Sequence, residues 1–338
     1  MAGRFTPRTP TRTTVRGGHI PLPTTSTPSA PSTPRPNAHH RHYTPPTPLD
    51  LSLVLGPLRR GPADPTFRTT PDGSVWRTSR TPEGPGTLRV ALRAGRAEAE
   101  AWGPGAEWLL DNLPALLGDA DDPTGFAPRH RLLAESARRR PGLRLTRTGL
   151  VLESLIPSIL EQKVTTDEAY RAWRLLVCKF GEPAPGPAPG RMYVMPDART
   201  WALIPSWEWH RAGVDAKRSS TVLRAVRVAR RLEEALALDQ EAAAARLHLV
   251  PGIGPWTSAE TLQRAMGATD LVSVGDYHLP SIVGYALAGD RTADDAAMLE
   301  LLAPYAGQRH RATRLILLSG RTPPRRAPRM TPGNIGAL

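Results

Sequence analysis

The sequence predicts a mostly α-helical protein of the α+β class: two helical lobes with a small antiparallel β-sheet subdomain on the N-terminal side. Three observations carry this. Short alternating runs separated by Pro/Gly turns fill residues 49–102. Beyond Asp121 the apolar residues recur at helical spacing. Finally, Leu249-Val250-Pro251-Gly252-Ile253-Gly254-Pro255 joins two helix-like segments through a glycine-bracketed turn.

The elements follow in order. Residues 1–47 are rich in Thr, Pro, Ser and Arg and have little to bury, so a disordered tail is expected. Residues 48–120 form the β-rich subdomain. Leu49–Leu55 is apolar and placed with the extended runs, Ser74–Thr78 and Thr87–Arg93 alternate, and Ala97–Trp102 follows the Ala94-Gly95-Arg96 turn. Pro71-Asp72-Gly73 and Pro82-Glu83-Gly84-Pro85-Gly86 are hairpin signals, and a helix is expected near Gly105–Leu117. Residues 121–320 form the helical core. Its helices are expected near 126–140, 150–181, 207–212, 215–236, 239–249, 256–266, 278–288, 294–303 and 305–319, with a helical hairpin over 242–266. Residues 321–338 read as a flexible C-terminal tail.

Composition narrows the function. Cys178 is the only cysteine, which excludes a disulfide framework, an iron–sulfur cluster and a cysteine zinc site; it reads as a small buried apolar residue. No run of 18 apolar residues is present, so no membrane span is expected. The formal net charge of +13 favours a phosphate-bearing partner. Six arginines precede Asp50 without an acidic counterpart, and removing them leaves +7, which a solvated surface explains nearly as well.

The turn has its own physics. Pro251 and Gly252 stop the Ala-rich segment ending at Leu249. Gly252 and Gly254 tolerate positive φ and have no Cβ to hold a ligand away. Pro255 sits where the next helix starts, and the free amides of that helix's first turn make an anion site. An ordinary corner without a ligand is the plainer alternative. Asp276 follows Gly254 by 22 residues, and a carboxylate there suits chemistry on a nucleotide or caps the helix beginning near His278.

Val250-Pro251-Gly252-Ile253-Gly254-Pro255-Trp256-Thr257-Ser258-Ala259, followed by Val274-Gly275-Asp276-Tyr277-His278, resembles the helix-hairpin-helix Gly/Pro/Asp superfamily of DNA base-excision glycosylases. The branch it looks most like is the 3-methyladenine DNA glycosylase II type. Leu155-Ile156-Pro157-Ser158-Ile159-Leu160-Glu161-Gln162-Lys163-Val164-Thr165 resembles a further family helix, and Pro304-Tyr305 with Arg309, Arg311 and Ala312 resembles the last core helix. The resemblance spans residues 48–320.

The resemblance implies a DNA-repair enzyme that hydrolyses the N-glycosidic bond of a damaged base, an alkylated purine, in duplex DNA. It would act as a monomer on the nucleoid of a bacterial cytoplasm, without membrane attachment. The hairpin residues Gly252, Ile253, Gly254, Trp256 and Thr257 would hold a DNA phosphate. Asp276 would be the catalytic carboxylate, stabilising an oxocarbenium-like sugar and orienting the attacking water. Trp256, Tyr277, Gln162 and Lys163 are the candidates for the base pocket or the wedge that fills the gap left by the flipped base. Lysine at 163 departs from the family's usual apolar or amide side chain. Backbone carbonyls of His248 and Val250 would hold a monovalent cation, and no other cofactor or side-chain metal site is expected.

Family members that also cut the strand carry a Schiff-base lysine where this chain has Trp256, and no lysine follows Lys217. A monofunctional enzyme using water is therefore expected. Trp256 reads equally as a core aromatic or as a base-pocket wall facing a cationic alkylated base. Tyr277, Trp207, Trp209 and Tyr305 are weaker pocket candidates. Two alternatives stay open: a non-enzymatic helix-hairpin-helix DNA-binding protein, and a glycosylase for uracil or oxidised purines.

Overall fold

The computed structural model describes residues 38–324 together with Gly333 and Gly336. The expected tail 1–47 therefore lies outside the described residues up to position 37. Beyond that the expectation is corrected: His39–Tyr43 is strand β1. It pairs antiparallel with β5, Arg96–Trp102, from His39 opposite Ala101 to Tyr43 opposite Ala97. The backbone ladder, with the Arg41–Asp111 ion pair at 2.8 Å, orders a segment whose side chains offer little to bury.

The sheet has the order β1-β5-β4-β3-β2, where β2 is Phe67–Thr69, β3 is Val75–Thr81 and β4 is Gly84–Arg93. The expected hairpins are present, and the Pro82/Glu83 turn connects β3 to β4 in the register Val75 opposite Val90. One face carries Val75, Leu88, Val90, Ala97, Ala99 and Ala101 into a core closed by the helix Ala106–Asp111 and by Leu113–Leu117. Leu51–Leu55 is a short helix and not an extended run, because the Asp50 carboxylate caps the amides of Ser52 and Leu53.

The rest is helical, as the periodicity predicts, with breaks that it does not show. The expected helix 150–181 is two: Val151–Leu160 and Thr166–Phe180. The second restarts on a capping box in which Thr165 and Glu168 satisfy each other's backbone amides. Between them Lys163 adopts φ +53, a left-handed conformation uncommon without glycine. Cys178 is exposed, on the outer side of Thr166–Phe180, contrary to the buried role expected of it.

Two apolar cores define the helical lobes. One runs from Val151 to Ala268 and includes the stacked Trp173, Trp201 and Trp209. The other joins Leu133 and Leu143 to Val272, Leu279, Met298, Tyr305 and Ile316. The chain passes from the first core to the second between Ala268 and Val272, just ahead of Asp276. Among the described residues no helix is long and apolar enough to cross a membrane. Of the C-terminal segment, the Gly333 amide donates to Glu168 at 2.7 Å.

Candidate active site

The hairpin helices are Gln240–His248 and Pro255–Ala265. Asp239 caps the first by accepting from the Ala242 amide, and Leu247 and Ala243 bury its inner face. Gly252 sits at φ +100, and a Cβ there would collide with the Thr221 hydroxyl, so the position requires glycine twice over. Gly254 differs: its backbone is extended and a Cβ would meet nothing.

Three side-chain contacts fix the corner. Gln162 donates both to the Gly252 carbonyl and to Thr257 Oγ1, each at 2.9 Å. His248 Nε2 meets Ser258 Oγ at 2.8 Å, tying the two helices together. The amides of Gly252 and Gly254 have no acceptor among the described residues. With the first-turn amides of Trp256 and Thr257, at the positive end of their helix, they form a concentrated set of donors for an anion.

Asp276 follows the second hairpin helix in a turn where Gly275 takes φ +90. Its Oδ1 accepts from the amides of His278 and Leu279, both at 2.8 Å, so it caps the helix Leu279–Ala288. Its Oδ2 accepts from the Trp256 indole Nε1 at 2.9 Å. The carboxylate is thus oriented from two sides, and it also lines a cavity of about 220 Å³.

That cavity is formed by Pro57, by Leu145 and Thr146, by the hairpin helix, by Ser273 and Asp276, and by the helices Leu279–Ala288 and Arg309–Ser319. Glu260, Gln263 and Arg264 come from the hairpin helix, and His310, Thr313 and Arg314 from the last helix. Glu260 accepts from Ser273 Oγ at 2.6 Å and from Arg264 Nη1 at 2.7 Å. Burial opposes its ionisation, but the Arg264 charge and the Ser273 hydroxyl hold its pKa below the ordinary value. Burial, with Arg314 beside it, pushes His310 down to about 3, so its imidazole is neutral near pH 7. Burial and the nearby Arg264 charge bring Arg314 down to about 10, which still leaves it cationic.

The structure brings Gly252, Ile253, Gly254, Trp256, Thr257 and Gln162 together at the hairpin, and joins Trp256 to Asp276. It does not place the four candidate pocket residues in the cavity: Trp256, Tyr277, Gln162 and Lys163 are absent from its lining. Trp256 spends its polar edge on Asp276 and Gln162 braces the hairpin. Lys163 is exposed on its left-handed turn, and Tyr277 is 90% exposed with its ring edge against His278. Trp209 and Tyr305 are buried in the two cores, and Trp207 lies on the surface. Arg309 pairs with Asp270, and Arg311 with the buried Asp121, so both serve the fold.

Glu260, Arg264, His310 and Arg314 were not singled out by sequence reasoning. A signal was present: each pair is spaced i, i+4, which puts both members on one turn of one face of its helix.

A helical hairpin aimed past a capped carboxylate, with a sheet subdomain ahead of two helical lobes, is the architecture of the helix-hairpin-helix DNA glycosylases. The chain has that fold. The 3-methyladenine DNA glycosylase of Archaeoglobus fulgidus is similar with a TM-score of 0.69 at 15% identity, over 83% of this chain and 98% of that one. The 8-oxoguanine glycosylase/lyase of Clostridium acetobutylicum, solved with double-stranded DNA, is similar with a TM-score of 0.65 at 12% identity, over 81% of this chain and 92% of that one. No family model and no curated protein sequence matches the chain.

Proposed function

We propose that the protein is a monofunctional DNA N-glycosylase of base-excision repair. The carrying observation is Asp276: a carboxylate held by two helix amides and an indole, on the rim of a base-sized cavity, downstream of a hairpin with unsatisfied amides. The hairpin amides would grip a phosphate of duplex DNA, and the flipped base would enter the cavity. Asp276 would then face the deoxyribose, stabilise its developing positive charge and orient the water that attacks C1′. Lys163, exposed beside the Gln162 brace, would enter the gap in the duplex or meet a phosphate.

Trp256 supports the monofunctional reading, since the residue there has no amine to form a Schiff base. The carbonyls of His248 and Val250 suit a monovalent cation at the hairpin. The first has no donor among the described residues, and the second accepts only the Ile253 amide, at 3.0 Å. Such a cation would draw the adjacent phosphate closer. The enzyme would work as a monomer on the nucleoid of a bacterial cytoplasm.

The resemblance to the 3-methyladenine type implies an alkylated purine as substrate. A specific observation favours a second reading: among the described residues no Phe, Tyr or Trp lines the cavity, and Arg264 and Arg314 do, which suits an uncharged base. The deciding assay incubates the full chain with duplexes carrying one alkylated, oxidised or deaminated base. Release of the free base, leaving an unbroken abasic strand, with none from Asp276→Asn, is the expected result. Tight binding with no base released from any duplex would make the protein a DNA binder.

A further inference from the structure

We infer that the cavity beside Asp276 receives a base without positive charge, and that Arg314 selects it by donating to a carbonyl oxygen of that base. This rests on the glycosylase reading above and names the substrate class that the reading leaves open.

Charges in the cavity carry the argument. Glu260 and Asp276 formally balance Arg264 and Arg314. Neither carboxylate pairs with Arg314, however. Glu260 is already engaged by Arg264 and Ser273. Asp276 is engaged by Trp256 and by the helix amides. Arg314 is left over: among the described residues it makes no ion pair, and its one hydrogen bond runs from Nη2 to the Leu53 carbonyl at 3.0 Å. A guanidinium has five N–H donors, so most of its capacity is unspent in a site where an unmatched charge is costly.

His310 adds a second unmet group. It is 7% exposed, lines the cavity, and its ring nitrogens have no hydrogen-bond partner among the described residues. As a neutral imidazole it offers one donor and one acceptor. The cavity therefore lacks an acceptor for Arg314 and a donor–acceptor edge for His310. An oxo-base, meaning an oxidised or deaminated purine or a uracil, supplies both through a ring carbonyl and the adjacent N–H. An N-methylated purinium supplies positive charge to a cavity holding an unpaired guanidinium, and among the described residues no Phe, Tyr or Trp face is there to offset the repulsion. The volume of about 220 Å³ is below the ~300–1,000 Å³ of pockets for drug-sized ligands and suits a single heterocycle.

The test measures single-turnover release from duplexes carrying 7-methylguanine, hypoxanthine, 8-oxoguanine or uracil, each corrected for its enzyme-free rate. Wild-type protein is compared with Arg314→Met, whose thermal midpoint is read alongside. We expect at least one oxo-base to leave faster than 7-methylguanine. Arg314→Met should slow that release by about 10- to 100-fold, the scale of a lost hydrogen bond from a charged donor. Its midpoint should be no lower than wild type, since an unmatched buried charge has been removed; an arginine with a purely structural role would give a lower one. Release of 7-methylguanine at least as fast as every oxo-base overturns the inference and leaves the glycosylase reading intact. Release of no base at all overturns both. The wild-type series decides between these outcomes even where Arg314→Met fails to fold.

Discussion

The indole of Trp256 donates to Asp276 Oδ2 at 2.9 Å, so the residue that the family resemblance sets in place of a Schiff-base lysine helps to orient the carboxylate. The two lie 20 positions apart in the chain, and the hairpin helix brings them together. On the proposed function Trp256 would be a positioning residue, acting on the sugar only through Asp276.

Trp256→Phe keeps the ring and removes the donor. We expect single-turnover excision to fall about 10- to 100-fold while duplex affinity stays within a few-fold, because a hydrogen bond to a charged acceptor is lost and no phosphate contact is. A fall confined to affinity would remove Trp256 from this role.

Borohydride should trap no covalent enzyme–DNA adduct, and the product strand should break only after alkali. Denaturing gels with and without the reductant check this. A trapped band that persists in the Trp256→Phe protein would show that an amine elsewhere attacks C1′.

The two hairpin glycines should separate fold from binding. Gly252→Val places a side chain against Thr221 at φ +100 and should lower the thermal midpoint. Gly254→Val meets open space, so the midpoint should hold while binding to all duplexes weakens about equally, damaged or not. Unaltered binding by a folded Gly254→Val protein would argue that the phosphate sits elsewhere.

Stability should fall on acidification, partly through His310. Its folded pKa of about 3 lies below the ordinary 6.5, so between those values the unfolded chain binds a proton that the native state refuses. Its contribution is complete above pH 6.5 and is lost as the pH falls toward about 3, by at most about 1.4 kcal/mol per unit. Denaturant melts at pH 7, 5.5 and 4.5 should show a shallower loss in His310→Leu than in wild type. Parallel slopes would mean that His310 is protonated in the native state.

Truncation should distinguish tail from sheet. Removing residues 1–37 should leave the midpoint unchanged, since that segment is poor in apolar side chains. Removing residues 1–44 also takes β1, exposes the β5 edge and loses the Arg41–Asp111 pair, and should lower the midpoint by more than about 4 °C. Equal midpoints for the two proteins would make β1 dispensable.

What the sequence made legible was punctuation and period. Pro251, Gly252, Gly254 and Pro255 place the hairpin within two residues of its observed ends, because proline and glycine change backbone geometry whatever surrounds them. Alternation places β3 to β5 for a similar reason. The misses are tertiary or subtle. His39–Tyr43 is mostly polar, and only its partner makes it a strand. The break at Lys163 contains neither glycine nor proline. Leu51–Leu55 is too short to display a helical period, so only the Asp50 cap could have marked it. Asp276 was legible from its spacing to the hairpin. The cavity beyond it was not, since Arg314 lies 38 positions further on and meets it only through helix packing.

The helix Pro255–Ala265 carries in its first turn the free amides proposed to meet a phosphate, Trp256 next to them, and Glu260, Gln263 and Arg264 on the cavity wall. At about 1.5 Å per residue it spans roughly 14 Å from Pro255 to Arg264. It therefore works as a ruler. On the proposed reading, backbone grip, the indole that holds Asp276 and the pocket wall are graduations on one rigid rod, so a nucleotide seated at one end would be in register at the other. Inserting or deleting a single residue in this helix would turn the far graduations by about 100° and uncouple recognition from chemistry, even in a protein that still folds and still holds DNA.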